Sequence, residues 1–465
     1  GMGSDRLYGN AGDDTLAGGS GSDLLFGGRG EDTASYAEAA AGVTVNLAGH
    51  YAYQASGTDR LFGMEHARGS AFNDTLIGDG GANRLDGGAG DDRLRGGRGG
   101  DTLIGGAGID TADYSDSRRS VSVDLGAGIA SGGTADGDTL KGIESVVGSF
   151  RSDSLTGDGG ANTLSGRFGF DHLRGAGGDD TLNGGWLHDH LEGGSGADLL
   201  NGGRHHDRLV GGTGTDWVNG DQGLDRIAGG QGNDALLGGA HRDRLQGSPG
   251  NDLLAGGAGS DALSIGGSDV VLHNRGEGRD RVEGLGRTDQ FTLSLGGGTS
   301  LEELSLSRRR NDLLLHTGGT GRGDRRSGRD GVVLEDWYAD GGSDQPESAT
   351  LQMVTEATDG YDPTGDSERL SHKLNRYDFT KIVEAFDQAR DQQPGRGKGR
   401  RWEAMDAALA NHLASSDSEA LGGELAHRYG TKGSLEGASR QTVLATLSDE
   451  RFGEMPQSLK GAGSA

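Results

Sequence analysis

One residue type in this chain is spaced for chemistry. From Gly148 to Ser264 the sequence runs as thirteen consecutive nine-residue units, each opening on Gly, with Asp at the sixth position in twelve. Eleven of these are read as metal ligands: Asp153, Asp171, Asp180, Asp189, Asp198, Asp216, Asp225, Asp234, Asp243, Asp252 and Asp261. Asp207 is set apart, because His205 stands where its unit should have a Gly. A second block, Gly69 to Asp113, adds Asp74, Asp92, Asp101 and Asp110, and the opening block adds Asp5, Asp14, Asp23 and Asp32. Asn83 and Asn162 are neutral at the same position. Carboxylates at a fixed period, with Gly carbonyls beside them, suit a hard cation. Calcium takes 6–8 oxygen ligands in a forgiving geometry, whereas zinc and copper look for thiolate or imidazole that the repeats do not regularly supply.

The period also dictates what must position these residues. The eighth position is aliphatic in all thirteen units, from Leu155 to Leu263. One aliphatic side chain per nine residues cannot make a core alone, so units must stack and line up their leucines in an inner column. The segment x-Leu-x reads as a three-residue strand and Gly-Gly-x-Gly-x-Asp as a turn. Two strands and two turns make a coil of 18 residues, a parallel β-roll. Stacked turns then place each Asp ~4.8 Å from the next. Like charges at that separation cost on the order of 1 kcal/mol or more per pair even in a wet site. A divalent cation reverses that sign.

Two related inserts interrupt the blocks. Tyr36 precedes Val43-Thr44-Val45-Asn46-Leu47, and Tyr114 precedes Val121-Ser122-Val123-Asp124-Leu125. Each returns through Asp-x-Leu-x-Gly, at Asp59 and Asp138, followed by Gly69-Ser70 and Gly148-Ser149. The expected organisation is repeats over 1–35, 69–113 and 148–269, inserts over 36–68 and 114–147, a strand-rich segment over 270–357 and a helical tail over 358–465.

Composition sets the outer limits. Of 465 residues 95 are Gly and none is Cys, which excludes a disulfide framework, a thiol nucleophile and a Cys-ligated zinc. Only 31% of residues are hydrophobic, too few for a conventional core of this length. The net charge of −27 disfavours nucleic acid and anionic membranes as partners and favours cations. No apolar run approaches the ~18 residues of a membrane span. Gly1 to Asp5 has neither the basic nor the apolar region of a signal peptide, and the chain opens inside a repeat, as a fragment would.

The repeat resembles the RTX, or repeats-in-toxin, calcium motif G-G-x-G-x-D-x-U-x. Gly229-Gly230-Gln231-Gly232-Asn233-Asp234-Ala235-Leu236-Leu237 and Gly256 to Ser264 fit it throughout. The resemblance implies a right-handed parallel β-roll with several calcium ions between turns, folding after export. Arg151, Leu187, His205 and His241 replace the fourth-position Gly, where a side chain is expected to obstruct the carbonyls. Residues 270–355 resemble the segment that often follows such repeats, through Gly276 to Val282, Asn311 to Leu315 and Glu335-Asp336-Trp337-Tyr338. Phe291 to Leu295 reads as a short strand, and the segment is expected to cap the roll. In the tail, Phe379, Ile382, Val383, Phe386 and Ala389 share a helical face. Trp402, Met405, Leu409 and Leu413 form a second stripe, Gly395 to Gly399 a hinge, and Ser418 to Tyr429 a third run. Leu413 to Gly430 resembles the C-terminal tail of large RTX proteins, which implies type I secretion machinery as a partner and a secreted or cell-surface location.

There is no H-E-x-x-H, G-x-S-x-G or G-x-x-x-x-G-K-[ST]. His188-Asp189-His190 and Arg204-His205-His206-Asp207 keep the repeat register and read as eroded turns, and Arg322-Gly323-Asp324 as chance in a Gly/Arg-rich loop. The chain is expected not to be an enzyme. It is expected to be a secreted calcium-dependent protein, or the non-catalytic C-terminal half of a larger enzyme, adhesin or toxin.

Overall fold

The computed structural model describes residues 1–286, 290–296, 299, 304–318, 330–339, 346, 348–354, 375–391, 413–416 and, singly or in pairs, 428, 429, 431, 432, 435, 446 and 447. The chain divides into two compact units, Gly1–Ser195 and Gly196–Ala465. Each is a parallel β-roll.

In the first unit the 18-residue coil is explicit. His172–Gly177 pairs in parallel with His190–Ser195, with Leu173 opposite Leu191. Thr163–Phe168 pairs likewise with Thr181–Trp186, with Leu164 opposite Leu182. These leucines are fully buried, one above another, and they form the inner column that the period requires. Many strands are longer than x-Leu-x, because the chain stays extended through the following three positions, as in Thr181–Trp186. The inserts keep the parallel pairing across a longer loop. Leu25 meets Leu61, and Leu103 meets Leu140. The inserted residues form short antiparallel strands on the roll, Tyr51–Gln54 against Gly57–Phe62 and Ser122–Asp124 against Ile129–Ser131.

In the second unit the columns run Leu200, Val218, Leu236, Leu254, Val271, Leu293, Leu351 and Leu209, Ile227, Leu245, Leu263, Val282, Leu334. The strands Val270–Asn274, Gln290–Gly296 and Ser348–Met353 therefore extend one sheet, and Arg279–Glu283 and Gly331–Leu334 the other. Gln290–Gly296 contains the expected strand, but it is buried on both faces; Ser294 accepts a hydrogen bond from Gln352 Nε2 at 2.9 Å. Helix Phe379–Asp391 matches the first tail stripe and buries Phe379, Ile382, Val383 and Phe386. Phe379 packs edge-on against buried Trp337, ring centres 5.8 Å apart.

The tail is not wholly helical. Asn375–Asp378 and Leu413–Ser416 are strands that continue the sheet antiparallel from Ser348–Met353. Leu413 is thus a strand residue, its place set by the open sheet edge rather than by helical spacing. Tail residues also lie on the roll instead of apart from it. Tyr429, Leu435 and Leu447 cover Ala235, Leu253, Ala255, Val270 and Leu272 on the outer face of one sheet. The stripe at Trp402, Met405 and Leu409, the Gly395–Gly399 hinge, most of the third run and Arg322-Gly323-Asp324 lie outside the described residues. Among the described residues no helix is long and apolar enough to cross a membrane.

Candidate metal centre

Each turn delivers its sixth-position Asp to the same place, in columns of carboxylates. In the second unit the backbone N–H of Asp216 donates to Asp234 Oδ1 (2.9 Å), that of Asp234 to Asp252 Oδ1 (2.9 Å) and that of Asp252 to Asp269 Oδ1 (2.7 Å). A second column links Asp207, Asp225, Asp243, Asp261 and Asp280 in the same way. In the first unit Asp5–Asp23–Asp59, Asp14–Asp32, Asp74–Asp92–Asp110 and Asp153–Asp171–Asp189 form equivalent runs. Asp101 joins Asn83 to Asp138, and Asp180 follows Asn162. Asp198 bonds Asp216. Asp5 and Asp14 are half-buried; the other sequence-derived candidates are buried.

The second carboxylate oxygen carries the chemistry. Oδ2 of Asp23, Asp32, Asp92, Asp101, Asp110 and Asp171 is buried without a hydrogen-bond partner, as is that of Asp225, Asp234, Asp243, Asp252 and Asp261. A buried carboxylate oxygen left unpaired is costly, so it must be protonated or meet a cation. Burial accordingly raises Asp234 and Asp171 to about 7. Burial, with the Asp269 charge adding to it, raises Asp252 to about 9. Other oxygens converge on the same space. A methyl group at Gly220 would lie 2.6 Å from both Asp225 Oδ2 and the Gly238 carbonyl oxygen. That space, which only Gly leaves open, is lined by the hard oxygen donors calcium uses. The residues present fit a calcium ion.

Three of the four units with a side chain at the fourth position keep the backbone of the repeat; Arg151 does not take up the positive φ. Leu187, His205 and His241 hold positive φ of 80°, 84° and 86°, the left-handed conformation that Gly232 adopts at 120°. Asp207 and Asp243, two residues beyond His205 and His241, remain buried members of their column. His190 lies beside His172 with ring centres 4.9 Å apart and planes tilted by 36°, and Glu192, 3.2 Å from His190, is also held by Arg174.

Several members of the columns are satisfied by the protein itself, which the sequence reading missed. Asp59 Oδ2 accepts from Tyr36 Oη (3.0 Å) and Gln54 Nε2 (3.1 Å), and Asp138 Oδ2 from Tyr114 Oη (3.1 Å). Ser70 and Ser149 donate their backbone N–H to Oδ2 and their hydroxyl to Oδ1 of Asp74 and Asp153. In the second unit Asp269 Oδ2 accepts the Gly266 N–H (2.8 Å), and Asp280 Oδ2 faces His273 Nδ1 (2.8 Å). Glu65 and Glu144 replace Asp as acceptors of the Asp32 and Asp110 N–H groups. A signal was present: Tyr36 and Tyr114 are 78 residues apart, and Asp59/Asp138, Glu65/Glu144 and Ser70/Ser149 each 79.

Comparison with known families agrees with this geometry. The RTX calcium-binding nonapeptide repeat, in its four-copy form, matches residues 1–34, 62–94, 77–112, 138–173, 156–191, 183–218, 201–236 and 237–269. These matches leave out most of the first insert, 35–61, which holds Tyr36 and Asp59, and much of the second, 113–137, which holds Tyr114; Asp138 opens the match over 138–173. No curated protein matches the chain.

Proposed function

Since the chain belongs to the RTX calcium-binding nonapeptide repeat family and is a calcium-binding protein of that type, we propose that it is a secreted, non-catalytic protein whose rolls fold on meeting extracellular calcium. The observation that carries this reading is the buried, partnerless Oδ2 repeated along the columns. Bound calcium supplies positive charge and an electrophilic centre for several oxygens at once. The chain's part is to hold those oxygens ready. Oδ1 is fixed by the backbone N–H of the preceding coil, as Asp252 is by Asp234, so Oδ2 faces the ion space with little freedom. The first-position Gly leaves that space open, as Gly229 does beside Asp234. Without a cation, burial and neighbouring charges oppose ionisation of the column, and the thin leucine core has little to set against them. The ligands proposed are the nineteen aspartates named from the sequence, with Asp74 and Asp153 weakest because Ser70 and Ser149 already occupy their oxygens.

Low cytosolic calcium would keep such a chain unfolded, the state in which type I secretion machinery threads its cargo. The proposed organisation is calcium repeats, two inserts, a capping strand-rich segment and a tail that carries the export information. The test is a calcium titration of the purified chain followed by far-UV circular dichroism. A β signal should appear at millimolar calcium and vanish with chelator, and stability should rise with free calcium. A chain equally folded in excess chelator would overturn the reading.

A further inference from the structure

The second unit presents two outer sheet faces of different character. One is apolar and covered by Tyr429, Leu435 and Leu447. On the other, Arg208 stands opposite Arg226 and Arg226 opposite Arg244 in the parallel register; Ala262 follows, then Arg281. With Arg242 and Arg279 these side chains wall a groove of about 810 Å³. Its floor includes Val210, Ala228 and Ala262.

Arg281 is paired with Glu335. Among the described residues Arg208, Arg226, Arg242 and Arg244 have no acidic partner within ion-pair distance, and all four are exposed. A column of like charges one strand spacing apart, ~4.8 Å, poses the problem of the aspartate columns with the sign reversed. The lining also includes Glu283 and the buried Asp243 and Asp261, against six arginines; in a chain with 71 acidic and 44 basic residues that excess of arginine is a local inversion of charge. Anions are the complement.

The shape narrows the class of anion. Five stacked strands span ~19 Å, so the ligand is elongated and repeats its charge. Guanidinium forks take planar carboxylate or tetrahedral sulfate oxygens in pairs. None of the lining residues is aromatic, so single-stranded nucleic acid finds no stacking platform. A concave groove does not fit a flat lipid surface. Small floor residues leave room for sugar rings. We propose that this groove binds a linear anionic polysaccharide, one carrying a carboxylate or sulfate on most of its sugars.

The experiment uses the full chain at saturating calcium on immobilised heparin, chondroitin sulfate, neutral dextran and single-stranded DNA. Heparin or chondroitin sulfate should retain the protein, dextran should not, and added salt should weaken retention. The double variant Arg226→Ser/Arg244→Ser should bind roughly tenfold or more weakly, since each lost fork removes charge-assisted bonds. Arg6→Ser/Arg29→Ser, on exposed residues of the first unit, should bind as the unaltered chain does. Circular dichroism at the same calcium concentration establishes that every variant is folded, which separates this outcome from that of the calcium reading. Retention no better on acidic glycans than on dextran, equal loss in both double variants, or preference for DNA would each overturn the proposal.

Discussion

An aspartate in these columns has two oxygens with separate duties, and substitutions can address them one at a time. Asp234→Asn keeps an oxygen for the Asp216 N–H but removes the charge from the ion space. It should lower the number of bound ions and raise the calcium midpoint roughly several-fold, because ligand charge sets calcium affinity. Equilibrium dialysis with a calcium titration reads both, and an unchanged ion count would argue against Asp234 as a ligand. The chain has made this substitution itself. At Asn83 the neutral amide Oδ1 stands beside Gly78, where other turns keep the open carboxylate oxygen, and already accepts the Asp79 N–H (2.7 Å), while Nδ2 donates to the Glu65 carbonyl (2.7 Å). Tyr114→Phe probes the opposite case. It leaves Asp138 Oδ2 buried without its hydroxyl donor and should cost about 1–3 kcal/mol, with no change in the ion count. Urea unfolding at saturating calcium measures the first effect and dialysis the second. The open oxygens were legible because a nine-residue period fixes both the residue and its neighbours. The caps were not, because Tyr114 and Asp138 lie 24 residues apart and only the folded insert brings them together.

Elements were legible in proportion to how often they repeat. Helix Phe379–Asp391 was also found, because its apolar stripe is complete within thirteen residues. The four-residue strands Asn375–Asp378 and Leu413–Ser416 carry no period of their own, and their pairing partners are distant in sequence. The junction between Val270–Asn274 and Arg279–Glu283 makes a prediction at this scale. His273 is fully buried, with Asp280, Glu277, Asp330 and Thr317 around it, and Tyr429 holds Glu277. Burial opposes its charge, but the carboxylates outweigh burial and lift it to about 9. The folded state therefore holds the proton more tightly than the unfolded chain. The stability it gives is complete below pH ~6.5 and is lost as pH rises through about 9, on the order of 3 kcal/mol over that window. Urea unfolding followed by Trp fluorescence at saturating calcium should show the decline, and His273→Gln should flatten it. A variant with the same slope would assign the pH dependence elsewhere.

At the scale of the whole molecule, charge governs when the fold can exist. The −27 net charge was legible as a demand for cations, but it does not say whether cations act by screening or by coordination. Nor did composition show that the tail shares the roll's outer face, because Ala235, Leu253 and Val270 look like neutral filler within a repeat. Screening and coordination make different predictions about salt. In 1 M sodium chloride the Debye length is ~3 Å, shorter than the ~4.8 Å between stacked carboxylates, so repulsion between exposed acids is largely removed. The buried Oδ2 atoms of Asp225, Asp234, Asp243, Asp252 and Asp261 would still have no partner, since a diffuse ion atmosphere does not reach a dry oxygen. Magnesium reaches such sites reluctantly, because it sheds water slowly and demands octahedral geometry at ~2.1 Å. Three titrations of chelator-treated chain, each followed by circular dichroism, separate the cases. Millimolar calcium should produce the β signal, 1 M sodium chloride should produce little of it, and magnesium at the calcium midpoint should produce less than calcium. Folding in sodium chloride alone would mean that the columns need only screening, and the Gly220 space between Asp225 Oδ2 and the Gly238 carbonyl would then have no need of an ion.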